Sequence, residues 1–311
     1  MMTRPDAGTL HPDVVAARDG DADARARVVG ALAWAGFVAP AAVRPVYDLF
    51  AAAWLGEPLT RENAVASNAE LAQAQEAPVP DSFWDALAQV LTGPDAGYDA
   101  ASITGAVAAL GGAVSPRYQQ LAEADAATWP GSTDAAQRQI PGFLDLRPLA
   151  VMAEGTLGRT LHDVLVENGY DLEVLDRDAI QLGALPPALC YLNTRILQMH
   201  DVWHLVAGYT TSGSHEIAIS AFQLAQFGHN YSAMFLAVVS AITHTQRPEG
   251  FAVIGLLTAE AWRHGRATPP LMAIAWEQEW ARDIDAIRAD HQIPVYQSVL
   301  PTNLFEMAKA G

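Results

Sequence analysis

Two histidines, an aspartate and a glutamate are spaced to hold a divalent metal ion. His200, Asp201 and His204 lie within His200-Asp201-Val202-Trp203-His204, and Glu216 follows after eleven further residues. On an α-helix, side chains four apart are separated by about 40° around the axis, so both imidazoles reach one point in space. Asp201 lies about 60° beyond His204, on the flank of that face. There it can be a third ligand, or an acid/base group beside a bound water. Two neutral imidazoles with one or two carboxylates form a mixed nitrogen and oxygen set. That set suits Zn²⁺, and also Fe²⁺ or Mn²⁺.

Blander readings compete. A glutamate in a first helical turn is favoured by the helix dipole with no ligand role, and Asp201 equally suits pairing with Arg195. A zincin places glutamate directly after the first histidine, where this chain has Asp201, and no third histidine follows at the metzincin spacing. A His-Asp phosphohydrolase needs further His and Asp ligands on other helices, and none is assignable. Gly155-x-x-Gly158 is too short for a phosphate-binding loop, and no Gly-x-Ser-x-Gly elbow occurs.

The elements that would carry these residues read as helices. Residues 188–208 follow a helical pattern. Gly208 and the run 210–214 break it, and a second helix starts at Ser214-His215-Glu216 with Ser214 as N-cap. That helix-loop-helix folds Glu216 back against the first helix. Further helices are expected over 28–37, 43–55, 63–76, 81–91 (capped at Asp81-Ser82) and 101–110, then from the Gly155–Arg159 segment to Gly169. More follow at 215–227, 231–245, 251–264 and 270–289. Residues 171–187 read as irregular. Alternating strand patterns are scarce, and no internal repeat is found. The fold class is all-α, a multi-helix bundle with a helix-loop-helix metal site. Residues 1–24 are polar and read as a disordered or frayed tail. Residues 25–148 form an N-terminal helical region of unassigned role whose last part, 126–148, reads as a linker, and 149–311 form the core with the metal motif.

Composition sets the outer bounds. The 311 residues carry 35 acids against 18 bases, a net charge of −17, so nucleic acid is excluded as a general partner. One cysteine, Cys190, rules out an internal disulfide and a Cys-rich zinc site; its apolar surroundings predict a buried thiol. Asp6, Asp13, Asp19, Asp21 and Asp23 occupy the place of a secretory apolar stretch. No apolar run reaches membrane-spanning length. The expected location is therefore cytoplasmic, with peripheral contact on the inner membrane face.

The residues resemble a known family. His-Asp-x-x-His-x11-Glu is similar to the signature of the Coq4 family of ubiquinone-biosynthesis proteins. Gly155-Thr156-Leu157-Gly158-Arg159 resembles that family's Gly-Thr-Leu-Gly segment, with Asn168-Gly169, Arg195, Gly208, Phe222-x-Leu-Ala-Gln226 and Trp276-Glu277-x-x-Trp280 as further matches. The resemblance covers about residues 150–295. The departure is an N-terminal region longer than the family core.

The resemblance implies an all-helical fold and a divalent metal, usually zinc, held by His200, Asp201, His204 and Glu216, with Asp201 and Glu216 as catalytic groups. It implies oxidative decarboxylation at ring carbon 1 of a polyprenylated benzoate-type precursor of ubiquinone, carboxyl giving way to hydroxyl. The alternative is a non-catalytic, prenyl-lipid-binding scaffold that organises the other coenzyme Q biosynthesis proteins. Homo-oligomerisation is a further expectation. Ser220, Gln223 and Phe227 fall within about 40° of Glu216 and are candidate substrate contacts. Arg195 is a candidate carboxylate clamp, although it lies about 140° from His200. His162, His215 and His229 read as surface or core residues. Met234, Phe235, Val238, Val239, Ile242, Val253, Ile254 and Leu257 are candidates for an apolar slot that takes a prenyl tail.

Overall fold

The computed structural model describes residues 2–310 apart from residues 96, 171, 172 and 174. Its described residues build fourteen α-helices and no strand, with one isolated bridge between Thr156 and Asp283. In chain order these are α1 (Ala7–Arg18), α2 (Ala22–Phe37), α3 (Val43–Trp54), α4 (Arg61–Gln73), α5 (Asp81–Thr92), α6 (Ala100–Gly112) and α7 (Pro116–Ala126). Then come α8 (Leu157–Asn168), α9 (Pro187–Ala207), α10 (Gly213–Phe227), α11 (Asn230–Gln246), α12 (Phe251–Ala267), α13 (Ile284–His291) and α14 (Leu304–Ala310). The all-α expectation holds.

Local chemistry sets most boundaries. The side chains of Asp6, Asp21, Thr60, Ser115 and Thr156 each accept a bond from a free amide in the first turn of the helix that follows. Proline opens α7 and α9, where its missing N–H costs nothing. Gly169 and Gly208 end α8 and α9 in the left-handed conformation.

Several expectations are corrected. The segment read as a frayed tail contains α1, which buries Ala7, Leu10, Val14 and Ala17 against the core; its acids cap and solvate a helix that is otherwise packed. α5 starts after Pro80, so Asp81 lies inside the first turn and caps nothing. α10 starts at Gly213 with Ser212 as N-cap, and Ser214 instead donates to the Thr302 carbonyl. The expected linker 126–148 is held down by Trp129, Ser132 and Ala135, all buried. The expected helix over 270–289 is two 3-10 turns, 271–273 and 276–278, followed by α13; Pro269-Pro270 precedes them, and Trp276 is fixed by its indole N–H donating to the Leu271 carbonyl. Cys190 is only partly buried. The sequence reading passes over α7 and α14 altogether. Of the stretch read as irregular, residues 171, 172 and 174 lie outside the described residues.

One apolar core runs through both halves of the chain. α2 lies along α11, α3 along α12, and α10 along α12. The last pair approaches so closely that a Cβ on Gly265 would sit 2.7 Å from Ala225 Cβ and 2.8 Å from the Phe222 carbonyl oxygen. Gln226 locks the same contact. Its amide donates to the Gly265 and Thr268 carbonyls and accepts from the Leu271 N–H. No described helix is long and apolar enough to cross a membrane.

Candidate metal centre

α9 carries His200, Asp201 and His204, and both its ends are anchored from elsewhere. At the start, the Glu123 carboxylate accepts from the Ala188 and Leu189 amides at 2.9 Å each, a charged cap supplied by α7. At the end, the orphan carbonyls of Leu205 and Val206 take the Arg288 guanidinium, and that of Ala207 takes the Tyr296 amide. Gly208, at φ +83°, then turns the chain, and the short 209–212 loop delivers Glu216 in the first turn of α10.

Glu216 meets both imidazoles, and Asp201 stands beside them. His204 Nε2 lies 3.0 Å from His200 Nε2, and the Glu216 oxygens lie 3.3 Å from the first of these rings' counterpart, His200 Nε2, and 3.4 Å from His204 Nε2. One ligand atom each of His200, Asp201 and His204 falls within 4.8 Å of the others. Nitrogen and oxygen ligands bound at about 2.0–2.2 Å stand roughly 3 Å apart from one another, so this spacing suits a shared ion.

The hydrogen bonds behind the rings bear on the same question. His204 Nδ1 is 3.0 Å from the Thr210 carbonyl oxygen, which only accepts; the proton sits on Nδ1, and the Nε2 lone pair faces inward. His200 Nδ1 is 2.8 Å from the Gln223 amide, whose oxygen in the alternative flip accepts Nδ1–H and frees Nε2 in the same way. Asp201 has no hydrogen-bond partner among the described residues and lines the cavity described below. An inward-facing imidazole lone pair beside a second imidazole and two carboxylates fits a divalent cation.

Without a cation the charges rearrange. Burial opposes ionisation of Glu216, yet the His200 and His204 rings outweigh it and hold the carboxyl well below the usual carboxylate range. Burial disfavours the charged form of His200, but the Glu216 carboxylate raises its pKa on balance. Burial pushes the Asp201 carboxyl up against the pull of both imidazoles.

The centre opens into a cavity of about 1360 Å³, above the usual range of roughly 300–1,000 Å³ for small-molecule pockets. Ser220 and Gln223 line it beside His200, Asp201 and Glu216, as expected. Met234, Phe235, Val239, Ile242 and Ile254 continue its wall. Three residues expected in that slot lie elsewhere: Val238 and Leu257 are packed in the core, and Val253 does not line the cavity.

Two expected substrate contacts are also corrected. Phe227 is packed on Trp203 with ring centroids 4.5 Å apart and does not line the cavity, because it sits three turns along α10 from Glu216 and faces the bundle interior. Arg195 lies on the far side of α9, where its guanidinium holds Glu277 at 2.5 and 2.9 Å and the Gln198 amide oxygen at 2.9 Å. Asp201 therefore does not pair with it. Of the other histidines, His215 accepts from the Thr210 amide, His162 faces Asp163, and His229 lines the cavity wall. Tyr231, Asn193 and Leu189 also line it and were missed; nothing in their spacing marks them, because the cavity is made only when helices distant in the chain, α6 and α9 to α12, come together.

Residues 139–297 match the profile described as coenzyme Q (ubiquinone) biosynthesis protein Coq4. The chain belongs to the Coq4 family. The Coq4 segment holds all four metal-binding candidates and ends just beyond α13. Among relatives, the mitochondrial ubiquinone biosynthesis protein coq4 of Talaromyces stipitatus is 27% identical over 148 residues, 47% of this chain and 49% of the relative. Its counterpart from Eremothecium gossypii is 27% identical over 152 residues, 49% and 46%. The chain thus spans about half the length of these curated relatives. A crystal structure of a Nostoc punctiforme protein, provisionally assigned to ubiquinone biosynthesis, superposes with a TM-score of 0.52 at 26% identity, covering 68% of this chain and 97% of that one.

The fold explains the other Coq4 patches. The Gly155–Arg159 segment seats the start of α8 on the chain beyond α12, with the Leu157 and Gly158 amides donating to the Arg282 and Trp280 carbonyls. The Arg195 and Trp276-Glu277 patches are two halves of one ion pair, and Gln226 is the α10–α12 lock.

Proposed function

We propose that this Coq4 protein is a metal-dependent enzyme of ubiquinone biosynthesis, removing the ring carboxyl of a polyprenylated benzoate-type precursor and leaving hydroxyl in its place. One observation carries the reading: His200, Asp201 and Glu216 stand in the wall of a large cavity, with His204 buried directly behind them, and that cavity continues as an apolar slot. A substrate with a polar carboxylated ring and a long hydrocarbon tail matches both parts.

His200, His204 and Glu216, with Asp201 beside them, would hold the ion. When bound, it supplies Lewis-acid polarisation of the ring's carboxylate or phenolate; the donor set accommodates zinc, iron or manganese. The Thr210 carbonyl and the Gln223 side chain orient the two rings. Asp201, without another partner, is placed to hold or move a proton at its carboxylate oxygen. A tail lying along the apolar wall would fix the ring and keep water from that side of it. Overall the ring loses CO₂ and gains one oxygen atom. With O₂ as oxidant, the second oxygen atom leaves as water, drawing two electrons and two protons from a reductant.

The test is turnover by the purified protein without partner proteins, supplied with O₂ and a chemical reductant such as ascorbate. After chelator treatment and reloading with Zn²⁺ or Fe²⁺, a prenylated hydroxybenzoate should release CO₂ and yield the ring-hydroxylated product. Activity that is unchanged in the stripped protein would remove the metal from the mechanism. No turnover with any metal, alongside retained binding of partner proteins by a folded Glu216→Ala variant, would favour a scaffold. A tail-bearing substrate also places the protein at a membrane surface, where apolar contact outweighs charge for a chain of net charge −17.

A further inference from the structure

We propose that α6, which lies outside the Coq4 segment, sets the length of the hydrocarbon tail that the cavity admits. This deepens the function proposed above and relies on it only for the identity of the polar head.

The cavity has a direction. Its polar end is marked by His200, Asp201 and Glu216. The start of α11 belongs to that end, since His229 Nε2 lies 3.2 Å from Asn193 Oδ1 on α9, two turns from His200 on the same face of that helix. The lining then follows α11 from Tyr231 through Phe235, Val239 and Ile242 to Arg247. At 1.5 Å per residue that path is about 24 Å long, far more than a benzoate ring occupies.

The wall facing this stretch is foreign to the family segment. Thr104, Val107, Ala108 and Gly111 of α6 line the cavity, as does Tyr98 just before the helix, whereas the family match begins only at residue 139. α6 is fixed on α11 by the Tyr231 hydroxyl, which donates to the Thr104 carbonyl.

Gly111 is the informative residue. Glycine inside a helix is less favourable than alanine, and here neither backbone nor packing requires it. Gly111 does not have a positive φ, and a Cβ built on it meets only the Met234 sulfur, at 3.4 Å, an ordinary contact. A Cβ on the neighbouring Gly112 meets nothing within 4 Å. With the Met234 sulfur already in contact at that point, a larger side chain has room only toward the cavity that Gly111, Gly112 and Met234 all line. A larger residue would narrow the slot part-way along α11, beyond the polar centre. The occupant this favours is a linear polyprenyl chain, entering the apolar slot with its head at the His200–Glu216 end.

The test uses the full chain, loaded with metal, and a ladder of prenyl alcohols: geraniol, farnesol, geranylgeraniol and solanesol. Binding is read by native mass spectrometry from detergent micelles, and folding by thermal melting. Gly111→Leu and Ala108→Leu should weaken geranylgeraniol and solanesol by about tenfold or more while leaving geraniol nearly unchanged. Gly111→Ala, which adds a single methyl, should keep the fold and show the same trend more weakly. Equal loss at every length in folded variants, no loss at any length, or a wild-type protein that binds none of the alcohols would each overturn the proposal. A length limit that moves with Gly111, in a protein that does not turn over the prenylated benzoate, would uphold the tail gauge and retire the proposed reaction.

Discussion

The Gln223 side-chain amide sits 2.8 Å from His200 Nδ1, so α10 reaches across to fix a ring on α9 from the side opposite the metal position. A partner of this kind sets the ring's tautomer and orientation. Gln223→Leu should therefore keep the fold but lose about 10–100-fold in Zn²⁺ affinity. Competition with a chromophoric chelator measures it; unchanged affinity would mean that His200 needs no support from α10.

Arg195→Met separates architecture from substrate binding. The guanidinium is nearly buried, while its partner Glu277 is about half exposed and can rehydrate when left alone. The loss should be about 2 kcal/mol, less than for breaking a fully buried pair. Denaturant melts should show that loss while Zn²⁺ affinity stays within about twofold of wild type. A variant of wild-type stability that fails only to bind the carboxylated ring would return Arg195 to the substrate site.

Gly265→Ala places a methyl group against the Phe222 backbone, which no rotamer change can relieve. α10 and α12 must separate, at a cost of about 1–3 kcal/mol. Because α10 also carries Glu216, the variant should lose metal affinity as well as stability, although it lies far from the ion along the chain. Melting and metal titration of one sample would show whether the two losses travel together.

Acid sensitivity has an identifiable contributor. Burial, with a smaller push from His200, lowers the His229 pKa from 6.5 to about 3. The ring hydrogen-bonds to Ser232 and Asn193 as a neutral group. Its folded pKa lies below the unfolded one, so the unfolded chain takes up a proton that the folded chain refuses. Stability is then complete above pH 6.5 and falls as the pH drops from there toward 3. At pH 5, allowing for the ring's partial exposure, the loss is about 1 kcal/mol. Urea unfolding at pH 7.5 and 5 should show a smaller difference for His229→Gln than for wild type.

The sequence revealed the helix-loop-helix that brings His200, His204 and Glu216 together because each part of it is local: a four-residue histidine spacing on one helix, a glycine that ends the helix, and a glutamate in the first turn of the next. It concealed whatever depends on two distant segments meeting. Arg195 looked like a ligand clamp because its partner, Glu277, is 82 positions away. Phe227 shares an angular sector with Glu216 on a helical wheel, yet three turns of α10 carry it away from the cavity to Trp203. Residues 270–289 repeat Leu271, Met272, Trp276 and Trp280 as a helix would, but the indole N–H of Trp276 and the two prolines favour separate tight turns. The opposite error fell on α1, whose apolar positions at 7, 10, 14 and 17 were helical all along, hidden among acids that serve its ends.

The shared core has a practical outcome for anyone who trims this polypeptide. A fragment beginning near residue 139 would retain every candidate metal donor, yet it would uncover the flank of α11 that α2 shields, where Ala233, Leu236 and Ala237 are now dry. It would also unroof the cavity by discarding α6. Such an excised piece should come out of expression sticky and detergent-hungry, even though it contains the whole recognisable signature.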